Sequence, residues 1–150
     1  MKHSYLLILV SLVLFSCKAN AQDGFQKLKS PHSVEATTAK LSSILTEKGM
    51  NIFATIDHQK GATKAGMELR PTTLVIFGNP KVGTKLMQCD QRIGYSLPLK
   101  MLIWQDVEGV TWIGYWQPAN LAKQYDLDSC NEVLVKVKNA MANFAKAAVS

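Results

Sequence analysis

From Val34 to Lys48, apolar and polar positions alternate with a helical period. Val34, Thr38, Leu41, Ile44/Leu45 and Lys48 share one face at spacings of three and four. This predicts a helix over Ser33–Lys48. Ser30 or Ser33 can cap its start, and Gly49 suits a left-handed residue just past its end. The last part of the chain repeats the pattern with Val133/Leu134, Val137, Ala140/Met141, Phe144 and Ala148. That stripe predicts a second long helix packed on a sheet, with Lys136, Lys138 and Lys146 off the stripe. Ser129-Cys130-Asn131-Glu132 fits a capping box at its start.

Between these helices the period changes. Gly24–Lys29 alternates Phe25 and Leu28 with polar residues, and Asn51–Ile56 alternates through Ile52, Ala54 and Ile56. Both predict strands. Pro71–Phe77 is a β-branched, apolar run that predicts a central strand. Asp57–Gly66 is polar and carries two glycines, which reads as a loop or short helix. Asn79-Pro80 opens the next helix, with Asn as the cap and Pro at the first turn, and the helix runs through Val82, Leu86, Met87 and Cys89. Leu97–Gln105 and Val110–Trp116 form a hairpin around Asp106-Val107-Glu108-Gly109. Pro118–Tyr125 is a short helix or turn. The order β-α-β-β-α-β-β-α predicts a single α+β domain, a mixed β-sheet with its long helices on one face.

The first residues stand apart. Leu6–Phe15 is apolar except for Ser11, too short for a membrane-spanning helix and suited to a signal-peptide core. Ala19-Asn20-Ala21 supplies small residues for cleavage before Gln22. Leu14-Phe15-Ser16-Cys17 also resembles a lipoprotein box, in which residues 1–16 leave and Cys17 is lipidated. Both readings predict export to the periplasm, cell envelope or medium, with residues 22–150 as the domain. Membrane contact is expected only through the leader or a lipid on Cys17.

Composition changes this picture little. The chain of 150 residues is 47% hydrophobic and 19% charged, as globular proteins are. Its net charge of +6 drops to +4 once Lys2 and Lys18 leave with the leader. The remaining lysines are scattered, so nucleic acid is not expected as a partner. Cys89 and Cys130 allow a disulfide in an oxidising compartment or two buried free thiols; sequence alone does not bring them together.

Residues 74–85, "LVIFGNPKVGTK", raise the question of a phosphate loop. Pro80 lacks the amide such a loop needs, and Lys85 follows Thr84 instead of preceding it. The stretch reads instead as strand, Asn cap and helix. The amides behind Asn79, with Lys81, Thr84 and Lys85, are then a candidate anion site at a helix N-terminus. Asp57-His58 at a strand end is a candidate acid–base pair. If the strands before His58 and Asn79 run parallel as neighbours, both residues share one edge of the sheet. Lys100 sits inside an apolar run, either solvated or reaching a partner such as Asp57. Trp104, Trp112, Tyr115 and Trp116 gather at the hairpin as core, dimer contact or ligand wall. No metal-ligand spacing or nucleophile elbow occurs, and no cofactor is expected.

Four segments, "FATIDHQKGATKAGMELRPTTLVIFGNPKVGTKLMQ", "LPLKMLIWQD", "GVTWIGYWQP" and "NLAKQYDL", resemble in order and spacing the family named domain of unknown function 302. The resemblance runs from about Phe25 to Phe144 and is closest to the branch with "IDH", "FGNPK-GT-LM" and "LPLK". It implies a small α+β fold with a mixed sheet and a tendency to form homodimers, and no defined activity. Other branches carry cysteines where this chain has Phe77 or Gly78 and Leu99 or Lys100, so thiol or metal chemistry is not implied here. The expectation is non-enzymatic binding of a small anionic or polar ligand by Asp57, His58, Asn79, Lys81, Thr84 and Lys100. The alternatives are proton-transfer catalysis by Asp57/His58 and a structural module of the envelope.

Overall fold

The structure is a computed structural model and describes residues 24–150. The leader and the Cys17 lipidation motif lie outside the described residues.

Five strands form one sheet: β1 (Phe25–Ser30), β2 (Asn51–Asp57), β3 (Thr72–Gly78), β4 (Leu99–Gln105) and β5 (Thr111–Trp116). Their spatial order is β1-β5-β4-β3-β2. Every neighbouring pair is antiparallel. The α+β class and the predicted element order hold, while the mixed sheet is replaced by a wholly antiparallel one. The segment between β2 and β3 holds α2 (His58–Lys64) but makes no crossover, so β3 returns beside β2 in the opposite direction.

The chain crosses the whole sheet once, from β1 at one edge to β2 at the other, through α1 (Val34–Glu47). Helix α1 and the C-terminal α4 (Asn131–Ala148) pack together on one face. Side-chain alternation sends Val75, Phe77, Met101, Ile103, Ile113 and Tyr115 into that core, all buried. Among the described residues no long helix covers the opposite face. It presents Ile76, Leu102, Trp104 and the exposed Trp116, with Phe25 edge-on to Trp116 at 5.2 Å. Tyr115 therefore belongs to the core, and Trp104, Trp112 and Trp116 to the outer face.

Local chemistry fixes the helix ends. The Ser33 hydroxyl accepts the Ala36 amide at 3.1 Å, and Gly49 follows α1 at φ +69°. The buried face of α1 is Val34, Thr37, Leu41 and Leu45. Thr37 replaces the expected Thr38 because its hydroxyl bonds Ser30 Oγ at 2.7 Å and donates to the Ser33 carbonyl at 2.8 Å. Helix α4 begins at Asn131, not at a capping box. Ser129 lies in a tight turn, and its hydroxyl donates to Cys89 Sγ at 3.1 Å.

Cys89 and Cys130 form a disulfide, with Cα atoms 6.4 Å apart. It ties the last residue of α3 (Pro80–Cys89) to the residue before α4. Asp90, next along, is nearly buried, and its carboxylate receives Arg92 Nε at 3.0 Å, Arg92 Nη2 at 2.7 Å and the Asp126 amide at 3.1 Å. The Arg92 side-chain bonds hold the Asp90 carboxyl well below the usual carboxylate range, aided by the two backbone amides and opposed by burial. A depressed carboxylate stabilises the fold fully above its unfolded pKa of about 3.9 and loses that contribution as pH falls below it. The stability gap between wild type and Asp90→Asn should therefore shrink below about pH 4 in urea titrations. A gap that stays constant down to the acid limit would remove this ion pair from the pH dependence.

Candidate functional site

The antiparallel pairing of β2 and β3 sets where the candidate residues lie. Asn51 faces Gly78 at one end of the pair, and Asp57 faces Thr73 at the other. Asp57/His58 and Asn79 therefore occupy opposite ends of the sheet. The shared edge expected from parallel strands does not form.

At the far end, Asp57 is a helix cap. Its Oδ1 accepts the Lys60 amide at 2.8 Å, and His58 follows as the exposed first residue of α2. Lys100 pairs in register with Ile76 and stands on the outer face. It does not reach Asp57. Its Nζ donates to the carbonyls of Ser96 (3.1 Å) and Pro98 (2.8 Å).

At the near end, Asn79 caps α3 as the sequence predicts, with Pro80 in the first turn. Asn79 Oδ1 accepts the Lys81 amide at 3.0 Å, and the amides of Val82 and Gly83 bond the Asn79 carbonyl at 3.0 and 2.9 Å. Those three amides are occupied, so they offer no open cradle to an anion. The expected anion site behind Asn79 is not built.

The same end holds a cavity of about 480 Å³. One wall is α3, through Val82, Gly83, Thr84 and Met87. A second is α4, through Lys136, Val137, Ala140 and Phe144. Met50 and Phe53 close it from the β2 side, and Leu97–Leu99 from the start of β4, where the Leu97–Pro98 peptide is cis. The cavity is apolar, with Asn79, Thr84 and Lys136 as the polar side chains on its lining. Asn79 is engaged in the cap, and its Nδ2 points to the Gly49 carbonyl at 3.4 Å. Lys81, His58 and Asp57 are not on the lining.

Gly78, Gly83 and Gly94 all border this space. At Gly83 an added Cβ would find its nearest neighbour, Leu97 Cδ1, at 3.8 Å, an ordinary contact. A glycine inside a helix costs about 0.5–1 kcal/mol relative to alanine. Here the residue that would stabilise the helix would also narrow the cavity. Of the sequence candidates, Asn79 and Thr84 meet at the cavity. The apolar walls and Lys136 were legible only as core stripe and helix surface. The signal that could have found them is the glycine set inside an otherwise amphipathic α3.

A single α+β domain, with a five-stranded antiparallel sheet, helices on one face and a cavity at one sheet end, defines the class. The chain belongs to the family described as Domain of unknown function DUF302, whose sequence model matches residues 26–144. A crystal structure of an uncharacterized conserved DUF302 protein from Bacillus stearothermophilus superposes with a TM-score of 0.76 at 17% identity, covering 83% of this chain and 98% of that one. At that identity the likeness shows the fold. Two curated relatives are 41% identical over 113 residues, 75% of this chain: fluoride-specific ion channel FluC 1 of Brucella suis and of Brucella abortus. The chain spans less than half of their length, 44% and 42%. Among the described residues no helix is long and apolar enough to cross a membrane.

Proposed function

We propose that this chain is an exported, non-enzymatic binding domain that takes a small ligand with an apolar body in the cavity between α3, α4 and the sheet end. The observation that supports it is the cavity itself. Its volume lies within the about 300–1,000 Å³ of small-molecule sites, and it combines apolar walls with few polar groups, as such sites do. The polar or anionic ligand expected from the sequence thus becomes a ligand with an apolar body and at most one polar end. Proton-transfer catalysis loses support, because Asp57 is used as a cap and His58 stands in solvent away from the cavity.

The test is a thermal-shift panel on residues 22–150, containing apolar-bodied compounds, phosphate, sulfate and halides. A ligand at a hundred times its Kd stabilises by about 2.7 kcal/mol, a shift of several degrees. Apolar-bodied compounds should raise the melting temperature, phosphate and sulfate should not, and His58→Ala should respond as wild type does. No response to any apolar-bodied compound would overturn the reading. The fluoride-channel relatives give a second reading, fluoride binding. A rise with fluoride alone would move the assignment there.

Export rests on the leader pattern, and a cytoplasmic pool after cell fractionation would contradict it. The homodimer implied by the family resemblance is part of the proposal, and a monomer across concentrations in sedimentation velocity would remove it.

A further inference from the structure

We infer that the cavity's ligand is an amphipathic anion, an aliphatic chain ending in a carboxylate, with Lys136 holding the head. This rests on the cavity reading above and adds the ligand's charge. The apolar lining offers an aliphatic chain dispersion and burial but gives it no polar anchor. Lys136 is the charged residue on the lining, exposed at its edge. Among the described residues no carboxylate pairs with it; the two ion pairs there are Lys48–Glu47 and Arg92–Asp90. Glu132 lies one turn earlier on α4 without forming a bridge to it.

The surroundings have the same sign. Helix α3 carries Lys81 and Lys85 and no acidic residue. Helix α4 carries Lys136, Lys138 and Lys146 against Glu132 alone. Among the described residues no Asp or Glu lines the cavity. An anionic head at the rim therefore meets attraction from Lys136, with Glu132 one turn away as the acidic residue of α4. A cationic head meets repulsion from Lys136. A neutral head gains neither. The lysine stem adds its own methylenes to the apolar rim while the ammonium stays in water.

Calorimetric titration of residues 22–150 with decanoate and decyltrimethylammonium below their micelle-forming concentrations, and with decanol below its solubility limit, tests this. Decanoate should bind roughly five-fold tighter than decanol, the scale of a partly exposed ion pair, and the cation should bind weakest. In Lys136→Gln the advantage of decanoate over decanol should vanish. Added salt should shrink the advantage in wild type. Equal binding of decanoate and decanol in both proteins would overturn the anionic head and leave the cavity reading standing. Tighter binding of the cation would overturn it as well. Failure of all three to bind would overturn both readings.

Discussion

Replacing Cys89 with serine should destabilise the domain by about 4 kcal/mol, the chain-entropy value for a disulfide closing a loop of this length. The loop is long, since the paired cysteines are 41 residues apart. Little else fixes the end of α3. That helix buries only Leu86, and Lys81, Lys85 and Gln88 are exposed. Beyond the disulfide, the Asp90–Arg92–Asp126 bonds hold the same corner. The melting temperature should fall on the order of 15 °C. Reductant should bring wild type down to the variant and leave the variant unmoved. Because the disulfide joins the two helices that wall the cavity, ligand affinity should fall with it. A loss below about 1 kcal/mol, with reductant having no effect on wild type, would mean that the bond does not stabilise the fold.

Gly83→Leu should weaken cavity binding on the order of fifty-fold without unfolding the protein. Glycine in mid-helix gives no packing and costs helix stability, so a larger residue there is favoured by the helix itself. The Cβ position is free of close contacts, with Leu97 Cδ1 at 3.8 Å. Gly83→Ala should accordingly raise stability by about 0.5–1 kcal/mol. A leucine side chain reaches further and takes the space of about three ligand carbons. At about 0.8 kcal/mol per buried CH₂ this weakens an aliphatic ligand by about 2.4 kcal/mol, on the order of fifty-fold. Equal affinity in wild type and Gly83→Leu, measured by calorimetry with decanoate, would place the ligand somewhere other than beside α3.

Much of the architecture was legible in the sequence because it depends on local rules. The Ser33 cap, the Asn79-Pro80 helix start, the Gly109 turn at φ +78° and the α4 stripe each follow from a few adjacent residues. The misses involve partners distant in sequence or direction in space. Residues 58–71 are long enough for a crossover or a simple return, and no residue in them decides which. The antiparallel outcome moved Asp57 and His58 to the end away from Asn79. The pairing of Cys89 with Cys130 is fixed only by where α3 ends relative to α4. It also takes the Ser129 hydroxyl away from its expected capping role.

The cavity was hidden for a different reason. Val137 and Phe144 occupy core positions by periodicity, and nothing in that pattern separates an apolar wall from filled core. Gly78, Gly83 and Gly94 border the space. Gly83 leaves it open on the α3 side, where a Cβ would have Leu97 Cδ1 at 3.8 Å, while a Cβ at Gly78 or Gly94 would press on Phe53 or Met87 at 3.3 Å. The stretch "FGNPK-GT-LM", which carries the resemblance to one branch of the family, runs through this wall.

The most direct test of that cavity as a ligand site is a methyl-resolved NMR titration of residues 22–150 with decanoate. Saturable shifts are expected on Met50, Val82, Met87, Leu97 and Val137, with the methyls of Met67 and Ile56 at the other end of the sheet unmoved. No saturable shift at the cavity, or shifts centred on the His58 end or the outer tryptophan face, would contradict it.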